Sequence, residues 1–241
     1  MTEGSPDLDQ VPAPMRQPIQ AYAQTVQSLA GGNALALTLY GAIAAGVFDP
    51  KLHTARSVVV LDRLDLEMLR SLAKEGPRMG KARIAAPLIM TPDYITASMD
   101  SFPLEFLEIQ MRHLCVFGRD YFQDLEFQEM HVRLQCEREL KTILIGMRQS
   151  LLAAAGKEKL LGEIEADVAE RLVRTLRGLL WLHGQRDATP AAQAVSDIEH
   201  SINRELPGVR GAIRVGKEHG WSEFKTLYDD VDALRTVVDA W

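Results

Sequence analysis

Two short apolar runs on either side of a glycine-bounded turn constrain this chain most. Ala34–Tyr40 reads ALALTLY and Ser57–Leu61 reads SVVVL; Gly31-Gly32-Asn33 precedes the first run and Gly41 to Gly46 follows it. Runs of this length between turn residues read as buried strands. Upstream, Ile19, Tyr22, Ala23, Val26 and Leu29 share one face of a helix predicted to start at Pro18 and end near Ala30. Residues 1–18 hold four of the eleven prolines and read as a flexible leader. No charged residue occurs from Gln17 to Phe48. A bilayer span needs about 20 mostly apolar residues, and here Gln20, Gln24, Gln27 and the Gly31-Gly32-Asn33 break interrupt the stretch. A buried strand after an amphipathic helix is the expectation, with no membrane segment.

Downstream the alternation continues. Asp62 is the expected cap of a helix marked by Leu64, Leu66, Leu69 and Leu72 and stopped at Gly76-Pro77. A strand follows over Arg83–Met90, Thr91-Pro92 opens a short helix, and Phe106–Phe117 reads as an edge strand closed by Gly118. Residues 19–125 therefore read as one α/β domain. Beyond Phe127 the period changes. Met130, Leu134, Leu140, Leu144, Met147 and Leu151 mark a helix over 126–155. A second helix is expected over 157–183, a third from the Thr189 cap and Pro190, and a fourth from Ser222, with Phe224, Leu227, Val231 and Leu234 inward. Residues 126–241 read as an antiparallel helical bundle.

The formal charge of −6 disfavours a nucleic-acid partner, because phosphate backbones are held by a basic excess. Two cysteines, Cys115 and Cys136, provide neither a disulfide scaffold nor a four-cysteine zinc site, and fit a reducing cytoplasm. Both are expected to be buried small hydrophobes. The first ten residues, MTEGSPDLDQ, have no apolar core of a signal peptide.

The segment from Leu37 through Tyr40-Gly41-Ala42 to Gly46, followed by Thr54-Ala55-Arg56 and Ser57–Leu61, resembles the nucleotidyltransferase superfamily that includes DNA polymerase beta and the kanamycin nucleotidyltransferases. The segments ARIAAPLIMT, FPLEFLEIQ and LQCEREL extend the likeness to a bacterial branch, over roughly residues 20–155. The resemblance implies an α+β fold with a mixed sheet and flanking helices, followed by a helical domain. In that superfamily the first strand ends in Gly-Ser, the second opens with Asp-x-Asp, and a later strand adds a third carboxylate. The glycine lets backbone N–H groups approach a triphosphate. The carboxylates hold two Mg²⁺ ions that neutralise phosphate and activate the attacking hydroxyl.

This sequence departs at each of those positions. Ala42 stands for the serine, Thr54 and Arg56 for the aspartates, and Arg83–Pro87 contains no acid. No acidic residue occurs between Asp49 and Asp62, so no shift of register restores the pair. The expectation is a catalytically degenerate, cytoplasmic member, a pseudoenzyme with no catalytic and no metal-binding residue. It retains Gly41, Ala42 and Arg56 as candidates for holding nucleotide phosphate without Mg²⁺. Arg56 would replace the metal's charge, or would merely pair with Asp49 or Asp62. Tyr40, Thr54, Arg133, Glu137 and Lys141 are candidate cleft residues; Glu137 matches the helix from which kanamycin-type relatives draw a general base. Its plainer reading is a solvated i,i+4 pair with Lys141. A nucleotide, a second copy of the chain or another protein are the expected partners. Two other readings stay open: an active nucleotidyl or adenylyl transferase drawing acids from Asp49, Asp62, Glu137 or Glu139, and a structural partner without ligand. Arg177-x5-His183 also matches the loose Arg-x(4–6)-His pattern of HEPN ribonucleases, as does Arg214-x4-His219.

Overall fold

The computed structural model describes residues 8–155, 157, 159–187, 189–214 and 220–239. Pro6 of the leader, Glu158 and His219 lie outside the described residues. The chain divides into two compact units, one of residues 1–99 and 108–126, the other of residues 100–107 and 127–241.

The first unit is built on a sheet of four strands: β1 (Ala34–Tyr40), β2 (Arg56–Leu61), β3 (Leu88–Met90) and β4 (His113–Gly118). Their order is β3-β2-β1-β4. β1 is antiparallel to β2 and to β4, whereas β2 and β3 are parallel. Helix α1 (Ala13–Ala30) covers one face. Its Ile19, Tyr22, Ala23 and Val26 join Leu37 and Leu39 of β1 and Val59 and Leu61 of β2 in one buried cluster. The helix starts at Ala13, not at Pro18, and Val11 ahead of it is already buried in that cluster. Pro18 lies inside it and offers no N–H to the Pro14 carbonyl one turn earlier. The tyrosine hydroxyl of Tyr22 and Ser57 Oγ share a hydrogen bond of 3.0 Å. Burial pushes the Tyr22 hydroxyl up to about 12, so it stays neutral.

Helix α2 (Leu66–Lys74) is capped by Asp65, whose side chain accepts from the N–H groups of Glu67 and Met68. Asp62 is not the cap; its N–H donates to the Asn33 carbonyl at the end of β2. Met68 and Leu72 turn inward, while Leu64 and Leu66 are exposed. Gly76-Pro77 opens a further helix, α3 (Gly76–Lys81), because proline suits a first turn. The expected strand over 83–90 is shorter. Arg83 has φ +59, Ala55 and Ile84 make an isolated bridge, and regular pairing begins only at Leu88, after Pro87. Thr91 caps α4 (Pro92–Ala97), as expected. The expected edge strand over 106–117 is half helix: α5 (Pro103–Met111) precedes β4. Cys115 is half-buried on β4, not fully buried, whereas Cys136 is buried.

The second unit is helical: α6 (Glu129–Ala154), α7 (Lys159–Leu182), α8 (Ala191–Ile202), α9 (Pro207–Ala212) and α10 (Trp221–Asp239). α6 lies along α7, α7 along α8, and α10 packs on α6 and α9. On α10, Phe224, Leu227, Val231 and Leu234 are buried as the spacing predicts. On α6 the buried stripe is Val132, Cys136, Leu140, Ile143, Leu144 and Met147; Met130 and Leu134 face out at 64% and 47% exposure. Thr189 does not cap α8, whose N-cap is Pro190; the Thr189 carbonyl instead accepts two hydrogen bonds from Arg177. No described helix is long and apolar enough to cross a membrane.

Candidate functional site

The sheet register brings the central candidates to one end. Tyr40 is the Cα partner of Arg56 on one side and of His113 on the other. Side chains alternate along a strand, so Thr38, Tyr40, Arg56 and Val58 share the face opposite Ser57 and α1. Tyr40 and Arg56 are half-buried. Directly after Tyr40 the chain turns at Gly41, with φ +75, into a single 3₁₀ turn, Gly41–Ile43. That φ favours glycine. Among the described residues, no atom outside Gly41's own turn lies within 4 Å of where its Cβ would stand, so the backbone is bare on that side. Ala42 is half-buried within the turn, and Thr54 is exposed two residues ahead of Arg56.

The surrounding loops are braced by named contacts. The Ala45 N–H closes on the Gly41 carbonyl at 2.9 Å, and Arg112 Nη1 donates to the Ala45 carbonyl at 3.3 Å, tying the turn to the start of β4. His113 Nε2 meets Asp120 Oδ2 at 2.8 Å, and its Nδ1 lies 3.1 Å from the Ile109 carbonyl. Burial pushes the Asp120 carboxyl up, but the Phe122 N–H, the His113 ring and the Gln123 N–H together hold it below its usual range. Both ring nitrogens of His113 are thus engaged in holding the β4 loop. Asp49 Oδ1 accepts the Lys51 N–H at 2.8 Å, and the Asp49 N–H donates to His53 Nδ1 at 3.0 Å, which closes the 49–53 loop on itself. Arg83 Nε donates to the His53 carbonyl at 3.1 Å. Asp62 follows the far end of β2, six residues and about 20 Å along the strand from Arg56.

These residues do not fit a pair of magnesium ions. The position expected to carry paired carboxylates carries Thr54 and Arg56, and Ala55 between them bridges Ile84 in a stretch without acids. Among the described residues, no three His, Cys, Asp or Glu side chains are grouped as a metal ion would need.

The remaining candidates lie on α6 of the second unit. Glu137 accepts from Lys141 Nζ at 2.5 Å and stands 3.7 Å from Arg133. Lys141 also reaches Asp239 of α10 at 3.0 Å. Glu139 pairs with Arg171 at 3.0 Å. Arg133, Glu137 and Lys141 form a ladder along one helix face, the arrangement of an i,i+4 network. Arg177 of the Arg-x5-His pattern donates to the Thr189 carbonyl. The residue after it, Gly178, is a packing position. A Cβ there would stand 2.3 Å from Leu104 Cδ2 and 2.9 Å from Cys136 Sγ.

No family model and no curated protein matches this chain. Among solved structures, it is similar to spectinomycin adenyltransferase AAD(9) from Enterococcus faecialis, crystallised with ATP and spectinomycin. The TM-score is 0.59 at 11% identity, over 92% of this chain and 98% of that one. The likeness shows the fold: a nucleotidyltransferase-like mixed α+β architecture with C-terminal helices.

Proposed function

We propose that this chain is a degenerate nucleotidyltransferase-like protein that holds a nucleotide at the Gly41–Arg56 end of its sheet without divalent metal. Its role is then binding or assembly rather than nucleotidyl transfer. The observation that carries this reading is the pairing of Tyr40 with Arg56 beside the bare Gly41 turn. A guanidinium stands where the resemblance expects carboxylates, in a position to supply the positive charge that phosphate oxygens require. The similar adenyltransferase was crystallised with ATP, which makes ATP the first ligand to test.

Calorimetric titration of ATP into the full chain, in EDTA and in Mg²⁺, tests the reading. Binding is expected in EDTA and is expected to weaken at least tenfold in Arg56→Ala, with no adenylyl transfer in either condition. Binding that needs Mg²⁺, or turnover to pyrophosphate, supports an active transferase instead. Absence of binding in both conditions supports a structural partner without ligand.

A further inference from the structure

We propose that a cavity between α1 and α3 binds a small organic monoanion with a compact aromatic or branched aliphatic body. The cavity has a volume of about 220 Å³ and lies wholly within the first unit. Cavities of about 150 Å³ already take up benzene when their walls are apolar. This one therefore accommodates a ring and a short substituent. Its inner walls are Ala21 and Tyr22 of α1, Met79 of α3 and Ile84. Tyr22, Met79 and Ile84 are 3%, 8% and 4% exposed, so the floor is apolar and largely buried.

The polar groups stand at the mouth. Gln17 and Arg78 are exposed there, and Glu75 lies beside Arg78. The Tyr22 hydroxyl is already engaged with Ser57 Oγ at 3.0 Å. Burial keeps that hydroxyl neutral. The floor thus offers no counter-charge, and a ligand's charge must stay at the mouth. Arg78 and Glu75 approach only to 3.7 Å, with side chains 70% and 36% exposed, a loose pair that a ligand carboxylate can exchange into. The sign of the favoured ligand follows from the surroundings. From Leu66 to Arg83 the chain carries Arg70, Lys74, Arg78, Lys81 and Arg83 against Glu67 and Glu75. Their summed field favours an anion. The site is separate from the Arg56 site, because Ser57 at its back and Arg56 point to opposite faces of β2.

The test is a methyl NMR titration of the full chain with phenylacetate, benzyl alcohol and benzylamine. Saturable shifts of the Met79 and Ile84 methyl groups are expected with phenylacetate, at least tenfold tighter than with benzylamine. Arg78→Gln is expected to weaken phenylacetate severalfold and leave benzyl alcohol unchanged. Ala21→Phe is expected to abolish all three; Thr25→Leu fills the same space should Ala21→Phe fail to fold. The absence of saturable shifts at Met79 and Ile84, equal affinity for the amine and the acid, or binding that survives both filling variants overturns the proposal.

Discussion

Close approach and backbone conformation make different demands at different glycines. At Gly208 of α9 a Cβ would stand 2.4 Å from the Leu227 backbone nitrogen and 2.5 Å from its Cα, inside α10. Backbone does not give way as a side chain does, so Gly208→Ala is expected to destabilise the chain by about 3 kcal/mol, at the upper end of overpacking costs. At Gly41 no described atom outside its own turn is near but φ is +75, so Gly41→Ala is expected to cost only the conformational term, about 1–2 kcal/mol. Urea denaturation of the two variants checks the order; a larger loss at Gly41 would reverse it. The same contact sets up a buried acid. Asp230 Oδ2 of α10 accepts the Gly208 and Val209 N–H groups at 2.6 and 3.1 Å, serving the first turn of α9 from outside. Burial raises the Asp230 carboxyl above its ordinary range, and those two N–H donors offset this only in part. A raised pKa means the folded state keeps its proton to higher pH than the unfolded state does. The associated stability is complete below the unfolded value, near 4, and is lost as pH rises through the folded value. The stability of the wild type relative to Asp230→Asn is therefore expected to fall as pH rises above 4. Urea titrations at a series of pH values measure it, and a difference that is flat or grows with pH contradicts the assignment.

Elements are held by polar side chains reaching across them as well as by apolar stripes. Gln135 of α6 is 7% exposed; its Oε1 accepts the Leu104 N–H at 2.8 Å and its Nε2 donates to Glu105 Oε2 at 2.7 Å. It thus caps the start of α5, and Arg174 of α7 holds the other oxygen of Glu105 at 3.2 Å. Gln135→Leu leaves a buried N–H without its acceptor and is expected to cost about 1–3 kcal/mol in a chemical denaturation series. A loss under half a kcal/mol would show that the cap is idle. Such contacts explain why some elements were legible in the sequence and others were not. β1, β2 and α10 could be read because one pattern fits one periodicity. α5 could not, because FPLEFLEIQM is apolar on several faces, and a short apolar run does not separate strand from buried helix. On α6 the period was right and Leu140, Leu144 and Met147 are buried as read, but in the first turns Met130 and Leu134 face out. Spacings of three and four fit both Met130–Leu134 and Val132–Cys136, and only packing against α7 and α10 chooses the second. Of the candidate site, Tyr40, Gly41 and Arg56 were brought together by the family resemblance, whereas the antiparallel register that sets Tyr40 opposite Arg56 appears only in the fold. The Arg112 brace on Ala45 was not, since 67 residues separate the two.

At the scale of the whole molecule, the proposed reading predicts a preference for free nucleotide over its magnesium complex. The chain carries −6, yet between Lys51 and Arg83 eight lysines and arginines face four acids. Along the sequence this local excess runs from the loop before β2, through Arg56, to α2 and α3. A fixed guanidinium about 4 Å from a divalent ion opposes it by roughly 8 kcal/mol at an effective dielectric near 20, before any compensation. Phosphate oxygens at the same distance are attracted with the same strength per charge. Free ATP brings more negative charge than its magnesium complex, so a site whose neutralising charge is built from arginine discriminates between them in a direction opposite to a two-metal enzyme. Excess Mg²⁺ is therefore expected to weaken ATP binding by the full chain severalfold, and NaCl to weaken it further, because the attraction is screened over about 10 Å at 0.1 M salt. Arg56→Ala is expected to lower both sensitivities as it lowers affinity. Affinity that rises with Mg²⁺ would place the neutralising charge on the metal and return Arg56 to the role of a surface ion-pair partner.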